Sequence, residues 1–304
     1  MRKVFLLGSV LAMGFVALQT ATLPGAQAKE LRVLSERTAT EFGHPESVAY
    51  DPNGKVLYVS DFGAELKPAD KDGKGRISKV SLDGKILEAA FLPAEGQILN
   101  KPKGIWISAN RLWVTDIDSV WVFDLKTKEG KKLELPGITF ANDPTVMGDG
   151  LYVSDNRSDQ LVRVEPADFL NATAAPKITV LFSGKSINPN GLYPGEGGSL
   201  LMVGFKSKDE PRAIYSMTPG EDPKAISDNI GMLDGLYRMN DGDLMVTDWK
   251  SGSLFRWNAK TGMQTLAGDF KGPADFCVIP GDKRLTAVVP DLVKGELRFV
   301  ELAE

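Results

Sequence analysis

The sequence predicts an all-β fold, a six-bladed β-propeller with four strands per blade that an N-terminal strand closes. Three observations predict it. Short apolar runs recur with a period of about 46 residues, which lies within the range of propeller repeats. The runs alternate apolar and polar residues and are broken by turn pairs such as Asp83-Gly84 and Thr261-Gly262. No stretch has the periodicity of a long amphipathic helix.

Each unit begins with a lead position at the start of its first strand. The lead residues are Glu46, Lys103, Asp143 with Asn142 just before it, Asn190, Asp234 and Asp275. Between 12 and 15 residues separate each of them from the end of the second strand, which reads Leu-Met-Val-Thr-Asp in the clearest copy. The near-constant offset indicates a true repeat.

The last unit ends before a fourth strand can form. Residues 31–34 or 38–42 at the other end of the chain are expected to supply it, and such closure removes free sheet edges. A pair of β-sandwiches is the alternative architecture, but a period of about 40 to 50 residues favours the propeller.

The N-terminus has the pattern of a secretory signal peptide. Met1-Arg2-Lys3 is basic, residues 4–18 are apolar, and Ala26-Gln27-Ala28 forms a small-residue cleavage site. We therefore expect residues 1–28 to be removed after Ala28, residues 29–304 to form the propeller, and the mature protein to be periplasmic or secreted. A retained N-terminal anchor is the alternative. No other apolar stretch is long enough to cross a bilayer, so no membrane association is expected after cleavage.

Composition narrows the classes of partner. The net charge is −4 and the charges are dispersed, which does not suggest a nucleic-acid partner. Cys277 is the only cysteine, so no intrachain disulfide can form, and the single histidine excludes a His-rich zinc site. We expect a monomer that binds a small molecule.

The lead residues point to a metal site. The first strand of each propeller blade lines the central channel, so the lead residues are expected to surround one axis. Carboxylates crowded in a narrow channel repel one another unless a cation lies among them. Oxygen ligands without thiolate or imidazole suit a hard divalent ion, Ca²⁺ first, with Mg²⁺, Mn²⁺ or Zn²⁺ as alternatives.

The motifs around these positions resemble those of one family. Glu46-Ser47-Val48 resembles its Glu-Gly-Pro motif, and Asn142-Asp143-Pro144 resembles its Asn-Asp-Gly. Pro189-Asn190-Gly191 and Leu233-Asp234-Gly235 are similar to its Pro-Asn-Gly and Pro-Asp-Gly. The family is that of the gluconolactonases, also called senescence marker protein 30 or regucalcin-like proteins. The resemblance implies a six-bladed propeller with one divalent ion held by Glu46, Asn190 and Asp234. It also implies that Asn142 completes the shell or contacts substrate, and that Asp234 is the general base.

The chain also departs from that family. Phe140 stands where an arginine commonly holds sugar-acid substrates, and Lys103 places a cation at a lead position. Both are departures from a sugar-lactone site, and Phe140 favours a more apolar lactone or another ester-like ligand. Asp275 is expected to line the site or to pair with Lys103. His44 is expected to contact a ligand residue or to be structural.

Other repeated residues have a structural interpretation. Asp61, Asp116, Asp155 and Asp248 end second strands and are expected to form turns. Trp249 and Phe205 share the position just past that strand, where they either rim a ligand pocket or pack between blades.

Three functions remain open at this point. The first is a metal-dependent hydrolase of a lactone or related ester. The second is a non-enzymatic, metal-stabilised propeller that binds a small molecule or a protein. The third is a condensing enzyme similar to strictosidine synthase. Fold alone does not separate them.

Overall fold

The computed structural model describes Met1 and residues 30–303, and residues 30–303 form the predicted six-bladed β-propeller. The predicted signal peptide, apart from Met1, lies outside the described residues. Within residues 30–303, 24 strands form six four-stranded antiparallel sheets. The one helical element in this range is a 3₁₀ turn at Glu196–Gly198, and no described helix is long and apolar enough to span a membrane.

The strands of each blade follow one another from the channel outwards. The first three blades consist of β2 (Pro45–Asp51), β3 (Val56–Asp61), β4 (Arg76–Ser81) and β5 (Ile86–Leu92); β6 (Pro102–Ser108), β7 (Arg111–Asp116), β8 (Ser119–Asp124) and β9 (Gly130–Glu134); and β10 (Ala141–Met147), β11 (Gly150–Asp155), β12 (Gln160–Glu165) and β13 (Lys177–Ser183). The last three consist of β14 (Pro189–Pro194), β15 (Leu200–Gly204), β16 (Ile214–Met217) and β17 (Lys224–Ala225); β18 (Leu233–Arg238), β19 (Leu244–Asp248), β20 (Ser253–Asn258) and β21 (Gly262–Ala267); and β22 (Cys277–Pro280), β23 (Arg284–Asp291), β24 (Glu296–Ala303) and β1 (Arg32–Ala39).

The ring is closed by the N-terminal strand, as predicted. Strand β1 pairs antiparallel with β24, from Arg32 opposite Ala303 to Ala39 opposite Leu297. The sixth blade therefore combines strands from both ends of residues 30–303. Because β1 pairs with β24, the third strand of this blade has no unpaired edge.

The hydrophobic core lies between the blades rather than within one central mass. The described residues form a separate buried cluster at each of the six interfaces between neighbouring blades. Trp113 belongs to the cluster between the second and third blades, and Trp121 to the cluster between the first and second. Alternating side chains of a strand face the two neighbouring blades, which explains the period-2 pattern of the sequence.

A Ser/Thr-Asp pair ends the second strand of four blades and fixes the loops at the channel. The hydroxyl of each pair donates to the carbonyl of the lead residue in the next blade, and the donors and acceptors are Ser60 and Lys103, Thr115 and Asn142, Ser154 and Asn190, and Thr247 and Ala274. Each following aspartate accepts backbone N–H groups from the loops around it. The structural interpretation of these aspartates is correct: Asp155, for example, accepts from Thr139, Phe140, Arg157 and Ser158.

Candidate metal centre and substrate cavity

Six of the eight predicted site residues line one cavity of about 370 Å³. They are Glu46, Lys103, Phe140, Asn142, Asn190 and Asp234. Five of these six are the second residues of five different first strands, and the sixth, Phe140, lies just before the first strand of the third blade. The expected convergence of the lead positions on one axis is therefore present for five of the six blades.

A shift in strand register turns the lead side chains toward the channel. In β2, β6, β10, β14 and β18 the pairing with the second strand is interrupted immediately after the first residue. Pro45 lies opposite Asp61, for example, and regular pairing resumes at Ser47, so Glu46 is left out of the ladder. A residue that is unpaired in this way is free to aim its side chain away from the blade faces.

Two glycines allow the neighbouring blades to approach closely at this level. A Cβ at Gly235 would lie 2.9 Å from Cα of Asp275 in the next blade, and a Cβ at Gly191 would overlap the carbonyl oxygen of Asp234. The Asn190-Gly191 and Asp234-Gly235 pairs are thus explained by packing around the axis, and the glycines hold the preceding side chains near one another.

Three buried oxygen atoms in this cavity have no hydrogen-bond partner among the described residues. They are Oε2 of Glu46, Oδ1 of Asn190 and Oδ1 of Asp234. The remaining polar atoms of two of these groups are held: Trp249 Nε1 donates to Asp234 Oδ2 at 2.7 Å, and Asn190 Nδ2 donates to the Leu233 carbonyl at 3.4 Å. Buried oxygens without partners are costly, and three of them in one cavity fit the coordination of a hard cation.

Electrostatics favour a cation at the same place. Burial, followed by the charge of Asp234, raises the pKa of Glu46 well above its usual value. Burial and then Asp275 raise the pKa of Asp234 to about 8, although the hydrogen bond from Trp249 acts in the opposite direction. A bound divalent cation would stabilise the ionised form of both carboxyl groups.

The donor set consists of two carboxylates and two amides. In the part of the chain that the structure describes, no group of three or more His, Cys, Asp or Glu side chains is arranged to hold a metal. A cation here would depend on Glu46 and Asp234 together with the amide oxygens of Asn142 and Asn190. Such an all-oxygen set of low charge suits Ca²⁺ better than Zn²⁺.

Two predicted site residues lie elsewhere. His44 does not line the cavity; its Nδ1 is 2.8 Å from the Leu292 carbonyl, so it ties the first blade to the sixth. Asp275 lines a second cavity of about 170 Å³ further along the channel strands, together with Asp143. Ser47 Oγ donates to Asp275 Oδ2 at 2.6 Å, and the described residues show no ion pair between Asp275 and Lys103.

The lead position differs from the predicted residue in the sixth blade, and in the third blade it belongs to Asn142 rather than to the adjacent Asp143. In the sixth blade Pro273 bridges Asp291, as Pro45 pairs with Asp61, so Ala274 is equivalent to Glu46. The hydrogen bond from Thr247 Oγ1 to the Ala274 carbonyl gives the same alignment. In the third blade Asn142, and not Asp143, faces the first cavity. Asp143 and Asp275 belong to the next level of the channel.

The sequence pattern missed several residues of the cavity wall. The position directly after the second strand contributes Phe62, Asn156, Phe205, Trp249 and Leu292 in five blades. The sequence pattern indicates this shared position for Phe205 and Trp249 alone, and the structure places both in the wall, with ring centroids 5.7 Å apart. It gives no sign of Arg157, which lies one residue further along the chain. The Arg157 guanidinium lies over the Phe140 ring, 3.7 Å from the centroid, so an arginine lines the cavity beside Phe140.

Comparisons with known proteins identify the fold. No family model and no curated protein sequence matches the chain. Among solved structures, a gluconolactonase from Xanthomonas campestris is 15% identical over 89% of this chain and 91% of its own, with a TM-score of 0.64. Virginiamycin B lyase from Staphylococcus aureus is 16% identical over 90% of this chain and 100% of its own, with a TM-score of 0.62. A chain of a nidogen/laminin complex is 14% identical over 86% and 92%, with a TM-score of 0.54.

These structural similarities agree with the family resemblance of the motifs, and they concern the fold alone. The family that the motifs resemble, the gluconolactonases, is represented among the structural neighbours. The neighbours also include a lyase and a chain from an assembly of nidogen and laminin, so propellers of this shape serve different purposes. At 14–16% identity, what the chain shares with them is the propeller.

Proposed function

We propose that this protein is a divalent-metal-dependent hydrolase of a lactone or related ester. The observation that carries the proposal is the set of three buried, unpartnered oxygens of Glu46, Asn190 and Asp234 in one cavity. The similarity of the fold to a gluconolactonase supports the reaction class.

Each side chain has a role in this proposal. Glu46, Asn190 and Asp234, with Asn142, would hold the cation, which when bound supplies Lewis acidity and lowers the pKa of a coordinated water. Asp234 is the candidate general base, because Oδ1 faces the cavity while Oδ2 is fixed by Trp249. The aromatic rings of Phe62, Phe140, Phe205 and Trp249 would contact the carbon skeleton of the substrate and limit the access of bulk water.

The test is a panel of lactones and aryl esters assayed with protein that has been stripped of metal by a chelator. We expect no turnover from the stripped protein and recovery on adding Ca²⁺, Mg²⁺, Mn²⁺ or Zn²⁺, with Ca²⁺ the tightest in calorimetry. Glu46→Gln and Asp234→Asn should each weaken metal binding by more than about a hundredfold, since even groups that only support metal ligands cost 10–100-fold.

Asp209→Asn is the matched control, because Asp209 is exposed and does not line the cavity. If both site variants bind metal as tightly as the wild type, the ligand assignment is wrong. If metal binds tightly but no substrate of the panel is turned over, the non-enzymatic binding propeller becomes the better account.

A further inference from the structure

Three cationic side chains line the candidate substrate cavity. Lys103 Nζ lies 4.1 Å from the centroid of the Phe140 ring, and the Arg157 guanidinium carbon lies 3.7 Å from the same centroid. Lys206 lines the same cavity. Phe140 is therefore a platform for two cations rather than a bare apolar surface, since aromatic faces attract guanidinium and ammonium groups.

Lys103 forms no direct ion pair with a carboxylate among the described residues, although it is only 1% exposed. The carboxylate whose charge acts on it most strongly is Glu46, and its hydrogen bond is to the Lys101 carbonyl at 3.3 Å. The neighbouring buried lysine is different: Lys101 Nζ pairs with Asp72 Oδ2 at 2.8 Å and also donates to the Phe62 carbonyl. A buried ammonium without a hydrogen-bonded anion is costly, and Lys103 lines a cavity that can hold one.

Arg157 is held in place by its backbone while its side chain stays available. Its N–H donates to Asp155 Oδ1 at 2.9 Å, and Asp155 Oδ2 accepts from the Phe140 N–H at 3.0 Å. One carboxylate thus fixes both Phe140 and the arginine that stacks on it. Among the described residues no acidic side chain forms an ion pair with Arg157 or Lys206, so both charges face the cavity and solvent.

We propose that Lys103, Arg157 and Lys206 form an anion subsite, and that the substrate carries a carboxylate in addition to the ester or lactone group. This inference rests on the proposed function only for the identity of the reacting group, which is the ester or lactone. The carboxylate would meet the three cations while the ester carbonyl faces Glu46, Asn190 and Asp234, which line the same cavity. Charge complementarity at both ends would fix the orientation of the substrate.

The first experiment measures binding and needs no activity. Hexanoate and hexanamide, which differ in charge but little in shape, are titrated by calorimetry into metal-stripped protein. We expect hexanoate to bind at least about tenfold more tightly, the usual worth of a charge-assisted contact, and its affinity to fall as NaCl is raised. Arg157→Ala and Lys206→Ala should each reduce the preference for hexanoate severalfold.

Lys208→Ala is the matched control, because Lys208 is exposed on the same loop as Lys206 but does not line the cavity. Lys103→Met should remove most of the preference, since it replaces the buried charge by an apolar chain of similar length. If Lys103→Met does not fold, the Arg157→Ala/Lys206→Ala double variant decides. Equal binding of hexanoate and hexanamide to the wild type overturns the subsite.

A second experiment separates the subsite from the reaction. Two lactones with the same ring, one bearing a carboxylate side chain and one bearing its neutral amide, are compared by kcat/KM with the metal-loaded protein. We expect the carboxylate to be preferred and Arg157→Ala to lower that preference mainly through KM. Charge-dependent hexanoate binding without turnover of either lactone would leave the subsite standing and reject the hydrolase. Turnover of both lactones at equal kcat/KM would reject the subsite alone.

Discussion

At the scale of single residues, hydrogen-bond satisfaction separates structural acids from candidate functional ones. Asp155 and Asp234 are both buried and both belong to the channel end of a blade. Both oxygens of Asp155 accept backbone N–H groups, which outweighs burial and holds its pKa below the usual value. Asp234 has one oxygen held by Trp249 and one without a partner. A free oxygen of this kind is expected where a ligand completes the site.

The Trp249 hydrogen bond gives a prediction at this scale. Trp249→Phe keeps an aromatic ring against Phe205 but removes the donor to Asp234 Oδ2. We expect the affinity for the divalent cation to fall roughly tenfold or more, as for other groups that orient a metal ligand. In turnover assays we expect kcat to fall and KM to change little, because Trp249 would act through the orientation of Asp234. Calorimetry and steady-state kinetics measure the two effects.

Trp257→Phe serves as the control, since Trp257 packs against the core between the fourth and fifth blades and is outside the cavity. Unchanged metal affinity and unchanged kcat in Trp249→Phe would show that the indole N–H does not position Asp234.

At the scale of elements, the loops at the channel depend on the aspartates that end the second strands. Asp291 in the sixth blade accepts from Lys271 and Gly272, as Asp155 does from Thr139 and Phe140. The fourth blade has Gly204 at that position, and Asp159 of the preceding blade takes over. Asp159 accepts the N–H groups of residues 186, 187 and 188. The backbone N–H groups of this loop therefore have a carboxylate acceptor as in the other blades, although it comes from a different position in the sequence.

Asp155→Ala tests this dependence. The change leaves four backbone N–H groups without their acceptor, and we expect the free energy of unfolding to fall by about 3 kcal/mol. Because Phe140 and Arg157 are held by the same carboxylate, the preference for hexanoate over hexanamide should fall as well. Urea denaturation and calorimetry measure the two quantities, with Asp209→Ala as the exposed control. A loss below about 1 kcal/mol would show that these loops are held mainly by their packing.

The fold, and the position of most candidate ligand residues in one cavity, were predictable because they depend on local patterns. Period-2 strands, turn pairs and a constant offset specify a blade, and an acid or amide before glycine marks the place where blades converge. Two features depend on the three-dimensional register instead. The sequence pattern favours Asp275 as a lead residue, whereas the pairing of Pro273 with Asp291 gives that position to Ala274. Arg157 reaches the cavity only because Asp155 folds its loop back over Phe140, which no spacing of residues reveals.

At the scale of the whole molecule, the closed ring concentrates negative charge in its channel. Glu46 and Asp234 lie at one level, and Asp143 and Asp275 lie at the next. Burial is the largest cause of a raised pKa in all four carboxyl groups, and repulsion by neighbouring carboxylates adds to it for Glu46, Asp143 and Asp234. Among the described residues Lys103 is the cation that opposes this charge most directly at Glu46. The channel of the metal-free protein is therefore destabilised by ionisation, and a bound divalent cation would reverse that effect.

This charge predicts how the stability of metal-stripped protein depends on pH. The pKa of Asp234 is raised to about 8 and that of Asp275 to about 7, both above the ordinary value near 4. Between the ordinary pKa near 4 and these raised values, the folded state binds more protons than the unfolded state. The free energy of unfolding is therefore highest at low pH and falls as pH rises through this range. We expect the melting temperature to drop by about 5 °C or more between pH 5 and pH 7.5.

This pH range is set by the buried carboxyl groups of the channel and not by carboxyl groups at the surface. Asp124, whose pKa is lowered to about 2 chiefly by the hydrogen bond from the Thr127 backbone, titrates below it. Asp275→Asn removes one of the titrating groups and should flatten the curve. Saturating Ca²⁺ should flatten it further, because a cation stabilises the ionised carboxylates in the folded state only. Scanning calorimetry at a series of pH values measures this. A melting temperature that rises with pH over this range would show that the buried carboxyl groups are ionised at little cost even without metal.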